Sequence, residues 1–318
     1  DEINYFISKN ENKFDFDFDL NLDKTNFKID NLNYQKNEKE NTQLIIKGNF
    51  DQNKNLNLIN LSILENKNTI EINNLILGSD NLIKNIDKAN FDYLDIENKQ
   101  NKFSIQKIKK NIYELNGHIF NANTLITNIL KGNDEKVAKV FENNISLNLN
   151  LDKVYVDKIY FIKNLKGKLF IKDNKLSDAK MSGIFKNNDN FILDINSDNE
   201  GKKITTLTSS WAKPFVSRYS FIKGFEEGYL DFYSSKKYGV SNSVLVIDNF
   251  KVKKIPVLAR LLSLASLQGI ADLLTGEGIR FTDFEMKFSN DKKIMNIEEL
   301  YAIGPSISLL MEGYVQSD

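Results

Sequence analysis

Residues 13–23 read KFDFDFDLNLD. Phe14, Phe16, Phe18, Leu20 and Leu22 take every second position, with Asp15, Asp17, Asp19, Asn21 and Asp23 between them. Successive side chains in a strand point to opposite faces, so this alternation predicts a strand with one apolar and one wet face. The aspartates are oxygen donors of the kind calcium takes. No glycine-turned loop follows them, however, and acidic residues on a solvated strand face account for the pattern.

The same period repeats outward from this stretch. It predicts strands over Asn26–Tyr34, Gln43–Phe50, Leu56–Leu64, Thr69–Leu77, Asn81–Ile86, Ala89–Ile96, Lys102–Ile108 and Asn111–Asn116. Turns rich in Asn, Asp and Lys separate them, which implies an antiparallel meander. After Gly117 the pattern changes, and Asn121 or Asn123 caps a short expected helix over Thr124–Leu130, with Gly132 ending it. Asp134–Phe141 is a polar connector. Alternation resumes over Asn144–Asn150, Val154–Ile162, Leu165–Ile171, Ala179–Phe185, Phe191–Asn196 and Ile204–Ser209. A short helix over Ala212–Ser220 and a turn region at 221–228 precede strands Tyr229–Tyr233 and Ser243–Phe250. Ile279–Phe288, Ile294–Ile303 and Ser306–Tyr314 close the chain, with Gly304-Pro305 as the last turn.

One stretch breaks the period: Lys254–Phe281, KIPVLARLLSLASLQGIADLLTGEGIRF. Pro256, Leu258, Leu261, Leu262, Leu264, Leu267, Ile270, Leu273 and Leu274 are too dense for alternation and fall at helical spacings. Proline suits a first helical turn, and Gly276 and Gly278 supply a stop. The run predicts a helix over 256–275. Arg260 and Asp272 inside it argue against a membrane span. Its polar side is poor in Lys and Arg, which argues against a helix lying on a bilayer. A helix packed against the sheet is the favoured reading.

Composition excludes several classes. Lys+Arg and Asp+Glu both number 43, so there is no whole-chain field to attract nucleic acid. Cysteine is absent, which removes disulfides and thiolate metal sites. The abundance of Asn, Lys and Ile reads as the imprint of an AT-rich genome. No nucleophile elbow, zinc-protease helix, P-loop or dinucleotide-binding glycine set occurs. His118 is the only histidine and has no second His or Cys to complete a constellation, so it reads as structural. Glu226-Glu227 and Glu298-Glu299 are adjacent carboxylates that a strand points to opposite faces. The expectation is therefore a protein without catalysis and without a cofactor.

Asn249–Phe288, NFKVKKIPVLARLLSLASLQGIADLLTGEGIRFTDFEMKF, resembles the AsmA-like superfamily of envelope proteins, in the branch with a YhdP-type C-terminal region. It looks like that family's strand, then P-x-LARLLSLASLxGIxDLLxGxGIxF, then strand. Ala302-Ile303-Gly304-Pro305-Ser306 looks like the family's GPS turn, followed by a strand ending at Gly313. Two shorter stretches are similar: Gly117–Leu130 to a G-x-x-x-DAxxLL segment, with Asn121 in place of Asp, and Phe221–Leu230 to an I-x-GGxLxL turn, with Glu227 in place of the first glycine. The resemblance implies a piece of a long periplasmic protein of a Gram-negative bacterium, anchored in the inner membrane by a segment outside this chain. It implies a long curved antiparallel sheet, shaped as a groove or taco, that carries phospholipid between the inner and outer membranes.

The combined expectation is mainly β. A meander over 1–116, a short helix and connector over 117–142, and a β region over 143–318 with helix 256–275 make one continuous sheet. Such a sheet must cover its apolar face, by folding on itself as a sandwich or by holding lipid chains. The candidate lipid-groove residues are Phe14, Phe16, Phe18, Leu20, Leu147 and Leu149, and the helix residues given above are candidates for a plug or gate. The alternative function is a structural or assembly factor that offers sheet edges to outer-membrane proteins by strand addition. Phospholipid and envelope proteins are the expected partners.

Overall fold

The computed structural model describes residues 1–10, 13–51, 55–130, 140–218, 224–253, 278–291, 293–305 and 307–316. The chain is mainly β and divides into two compact units, Asp1–Leu176 and Ser177–Asp318.

The first unit opens with β1 (Glu2–Asn10) and β2 (Lys13–Asn21). A small hairpin of β3 (Phe27–Ile29) and β4 (Tyr34–Lys36) follows. The ladder then continues through β5 (Thr42–Phe50), β6 (Leu56–Glu65), β7 (Asn68–Leu77), the short β8 (Ile83–Asn85), β9 (Lys88–Leu94), β10 (Gln100–Lys109) and β11 (Ile112–Asn121). Helix α1 (Asn123–Leu130) leads toward β12 (Ile145–Tyr155) and β13 (Phe161–Lys172). The spatial order is β1-β2-β5-β6-β7-β9-β10-β11-β12-β13, with β8 beside β7.

The second unit contains all but the first two residues of β14 (Lys175–Ile184), then β15 (Asn190–Ser197), β16 (Lys203–Ser209), the single-turn α2 (Lys213–Val216), β17 (Phe225–Lys237), β18 (Val240–Val252), β19 (Ile279–Asn290), β20 (Ile294–Ile303) and β21 (Ser308–Gln316). These strands pair antiparallel in chain order.

Three expectations need correction. Asn26–Tyr34 is not a rung of the meander but most of the β3–β4 hairpin, turned by a short 3-10 stretch over Asp30–Leu32 and by Asn33 in the left-handed region (φ 52°). Val154–Ile162 is not one strand. Its middle is the turn between β12 and β13, where Asp157 Oδ1 accepts the Ile159 and Tyr160 N–H groups. An aspartate that captures backbone donors in this way ends a strand although the apolar period runs on. The meander is also not wholly antiparallel, because β11 and β12 pair parallel. Parallel neighbours need a long crossover, and the residues between Asn121 and Ile145 provide it.

The asparagines have a conformational use that composition alone concealed. Asn66, Asn98, Asn111 and Asn188 occupy left-handed positions in tight turns, with φ of 48°, 56°, 58° and 65°. Asparagine enters this region more readily than other residues with a Cβ. Asn74, Asn164 and Asn249 do the same within strands (φ 51°, 51° and 53°). There the left-handed residue shifts the alternation by one, so Ile72 and Leu75, Ile162 and Leu165, and Ile247 and Phe250 all remain inside or half inside.

The β3–β4 hairpin caps one end of the first unit's apolar face with a polar cluster. Tyr34, Lys36 and Glu65 have at most 1 % of their surface exposed. Glu65 Oε2 accepts Tyr34 OH at 2.5 Å and Asn68 Nδ2 at 2.8 Å, and Lys36 Nζ donates to the Asp23 carbonyl at 3.0 Å. Glu65 Oε1 meets no fixed donor, and a protonated Glu40 carboxyl beside Glu65 can offer it one. Sharing that proton holds the Glu40 carboxyl above the usual carboxylate range, and burial adds to the effect. Burial pushes Glu65 up, but the contacts from Glu40, Tyr34 and Asn68 and the charge of Lys36 win and hold it low.

The signs of the two shifts are opposite. Glu40, raised in the folded state, contributes stability that is complete below its unfolded pKa of about 4.3 and fades as pH rises through the folded value. Glu65, lowered, contributes above its unfolded pKa and loses that contribution as pH falls through its folded value. Glu40→Gln supplies a permanent amide donor. It is expected to raise stability near pH 7 by on the order of 1 kcal/mol. Urea unfolding at pH 5 and pH 8 checks this: the gain is expected to be larger at pH 8, and a variant weaker than the parent there refutes the shared proton.

Candidate functional site: the apolar faces

Ladder registers connect the candidate groove residues of the first unit. Tyr5 faces Phe18, Phe18 faces Ile46, Ile46 faces Leu61, and Leu61 faces Ile72. Ala89, Ile105, Leu115, Leu149 and Gly167 follow in turn. A neighbouring row runs Ile3, Leu20, Leu44, Ile63, Ile70, Phe91, Phe103, Gly117, Leu151 and Leu165. No residue in either row bears a charge or a polar side-chain group other than the phenol of Tyr5. Cross-strand partners share a face, so both rows lie on one side of the sheet.

Phe14, Phe16, Phe18, Leu20, Leu147 and Leu149 all lie on this face. Phe16 is buried at 6 % exposure, and its ring centroid is 5.6 Å from that of Phe18 and 5.8 Å from that of Phe50. Phe14, at the rim, is 37 % exposed. Phe18, Leu20, Ile46, Leu61, Ile72, Leu147 and Leu149 are only half-buried. Burying one such side chain fully is worth about 1.5–3 kcal/mol, and this gain is only partly realised. The aspartates of β2 point the other way. Asp15 pairs with Lys13 at 2.9 Å, Asp17 with Lys47 at 3.2 Å, and Asp19 accepts from Gln43 at 2.8 Å.

The second unit repeats the design. Met181, Leu193, Leu207, Phe232, Leu245, Met286, Leu300 and Met311 face one another from β14 to β21. All but the exposed Met311 are half-buried. Next to this row lies a closed core of Val216, Phe225, Leu230, Ile247, Phe250, Phe281 and Ala302, to which α2 contributes Ala212 and Val216 at its margin. Phe250 stacks on Phe225 and Phe281 with centroids 5.0 and 5.1 Å apart.

The candidate plug residues Pro256, Leu258, Leu261, Leu262, Leu264, Leu267, Ile270, Leu273 and Leu274, with Gly276, lie outside the described residues. Their anchors are visible. Val252 and Ile279 are cross-strand partners, so this segment leaves and re-enters the ladder at the α2 end. Gly278 has φ of 85°, a left-handed position where a side chain is strained. Gly304 closes the β20–β21 turn by donating its N–H to the Ile307 carbonyl, and Pro305 is exposed beside it. A Cβ on Gly304 would lie 2.3 Å from the Arg280 carbonyl oxygen, so only glycine fits.

No protein-family model, curated protein or solved structure matches this chain.

The remaining polar candidates are accounted for by pairing. His118 is exposed, with Nδ1 2.7 Å from Asp152. Glu226 is held below the usual carboxylate range chiefly by Lys253, and Glu227 chiefly by Lys251. Both are partly exposed pairs of modest energetic weight. Among the described residues, no three His, Asp or Glu side chains gather as a metal set, and no helix is long and apolar enough to cross a membrane. The buried Tyr34–Lys36–Glu65 cluster has no sequence signature, because Tyr34 and Lys36 of β4 meet Glu65 at the end of β6, far from them in sequence.

Proposed function

We propose that this chain is a periplasmic segment of an AsmA-like protein whose sheet holds phospholipid acyl chains on its apolar face and helps move lipid between the inner and outer membranes. The inner-membrane anchor belongs to a segment outside the chain. The supporting observation is the unbroken apolar row from Tyr5 to Gly167, half-buried along much of its length. An acyl chain laid on such a row gains about 0.8 kcal/mol per buried methylene. The curvature that makes a face into a groove is part of this proposal.

The test is native mass spectrometry with lipid extraction on protein purified under mild non-ionic conditions. Reproducible phospholipid is expected on the parent chain. Phe18→Asp and Leu149→Asp, both at half-buried positions, are expected to lose it while keeping the β signature in circular dichroism. A parent at the bare polypeptide mass sinks the reading.

A second reading has its own observation. Among the described residues β1 pairs only with β2, and β21 only with β20. Their open edges carry Tyr5 (69 % exposed) and Leu310 (73 %). Unpaired edges with apolar side chains are templates for strand addition, as an assembly factor for outer-membrane proteins requires. That reading predicts lipid-free protein and capture of a β-strand peptide.

A further inference from the structure

We infer that the outward face of the β12–β13 hairpin, the side opposite the apolar rows, docks on an anionic lipid bilayer with Ile159 at its leading edge. The inference goes beyond the lipid-groove reading and does not depend on it, because it uses the other side of the sheet.

Residues 160–172 read YFIKNLKGKLFIK, with four lysines and no carboxylate. Asn164 sits in the left-handed region (φ 51°) and shifts the alternation by one. Ile162 and Leu165 therefore both stay buried, while Lys163, Lys166 and Lys168 all project outward and are exposed. The register sets Lys153 beside Lys163, Asn150 beside Lys166 and Asn148 beside Lys168. The one carboxylate of β12, Asp152, lies 2.7 Å from His118 Nδ1. On β11 the nearest is Glu114, which faces Asn148 and accepts from the Asn116 amide. Among the described residues, Lys158, Lys163, Lys166 and Lys168 make no ion pair. Lysines on other strands do, as Lys47 does with Asp17, Lys102 with Asp92 and Lys287 with Glu299. The cation excess of a chain with balanced charge thus collects on this hairpin.

Toward the β12–β13 turn the same face becomes aromatic. Tyr155 and Phe161 meet edge-on with centroids 5.7 Å apart, and the Lys99 and Lys153 ammonium groups lie 4.4 and 4.5 Å from the Tyr155 ring centre. The turn beyond carries Lys158 and Ile159, and Ile159 is 72 % exposed. Its one carboxylate, Asp157, is folded back onto the Ile159 and Tyr160 N–H groups. Leu94 and Ile96, at the β9–β10 turn, are exposed at the same strand ends.

The order along this face is exposed aliphatic tip, aromatic pair, lysine row. An anionic bilayer offers the complement: an apolar interior, a headgroup layer that suits aromatic rings, and phosphates with a negative surface potential. A soluble polyanion would meet the lysines but would gain nothing from Ile159.

The experiment sediments the full chain with vesicles of phosphatidylcholine, or of a three-to-one mixture of phosphatidylcholine and phosphatidylglycerol. The parent is expected to bind the mixed vesicles at least tenfold more tightly at low salt, with the preference shrinking at high salt. K163Q/K166Q/K168Q is expected to fall to the phosphatidylcholine level, roughly fivefold for each lysine that reaches the surface. Circular dichroism checks that the fold is kept. K47Q/K102Q/K287Q makes the same charge change at paired lysines and is expected to stay within about twofold of the parent. Ile159→Ser keeps the charge and is expected to weaken binding to the mixed vesicles several-fold. Equal binding of the parent to both vesicles overturns the inference. Equal losses in the two triple variants show an effect of net charge alone and overturn the site. An unchanged Ile159→Ser, with soluble polyphosphate competing as well as the vesicles, overturns the bilayer in favour of a soluble polyanion. Lipid extracted from protein left in the supernatant reports the groove separately, so either reading can fail alone.

Discussion

Replacing Glu65 with Ala is expected to destabilise the first unit by about 3–5 kcal/mol, the cost of removing one partner from a buried charged cluster. The carboxylate accepts from Tyr34 and Asn68, and its charge offsets that of Lys36, which is fully buried. Without it the phenol and the ammonium stay dry and lose their acceptor or counter-charge. Glu65→Gln keeps an acceptor oxygen but not the charge, so it is expected to fall between the parent and Glu65→Ala. Urea unfolding followed by far-ultraviolet circular dichroism measures the loss. Hydrogen exchange localises it, with the amides of 27–36 expected to open first. A change below about 1 kcal/mol would show that the hairpin is held by packing of Tyr34 on Tyr93, whose rings meet edge-on at 5.7 Å, and not by the cluster.

Phe250→Ala is expected to cost the second unit about 3–5 kcal/mol. Phe250 is the middle of a three-ring stack with Phe225 and Phe281, and Phe284 meets it edge-on at 6.2 Å. Truncation removes ring contacts on both sides and leaves a cavity that neighbours on the two flanking strands cannot both collapse into. Trp211 is the only tryptophan and packs edge-on against Phe185 at 5.6 Å, so its fluorescence reports this unit's unfolding. Phe6→Ala, at a position 64 % exposed, is the control and is expected to change stability by less than about 0.5 kcal/mol. Equal effects at Phe6 and Phe250 would refute the stacked core.

The strand content was legible because period-2 alternation reports the one property a half-wet sheet requires. KFDFDFDLNLD shows this directly: its phenylalanines and aspartates separate to the two faces of β2. Phe18 and Leu149 were readable as inward-facing for the same reason, although their place in one cross-strand row depends on registers that sequence does not state. Alternation failed where a turn carried apolar residues, as in Val154–Ile162, because the deciding event was Asp157 capturing two backbone N–H groups. It also failed at Asn26–Tyr34, where a local hairpin competes with the meander for the same residues. The parallel β11–β12 pair was invisible, since period 2 is blind to strand direction.

The ladder order has a kinetic consequence. Nearly every strand pairs with a neighbour in sequence, so most contacts close short loops and the sheet can grow by zipping from any hairpin. Two pairs close longer loops, the parallel β11–β12 pair and the β2–β5 pair joined through the β3–β4 hairpin. The parallel pair forms only after the chain has returned the length of a strand, which makes it a slow closure in the first unit. Hairpins on either side of it can assemble first and wait, each with an open edge. A nascent chain thus passes through a stage in which β11 and β12 are both unpaired, and a holdase that covers strand edges at that stage would protect it from aggregation.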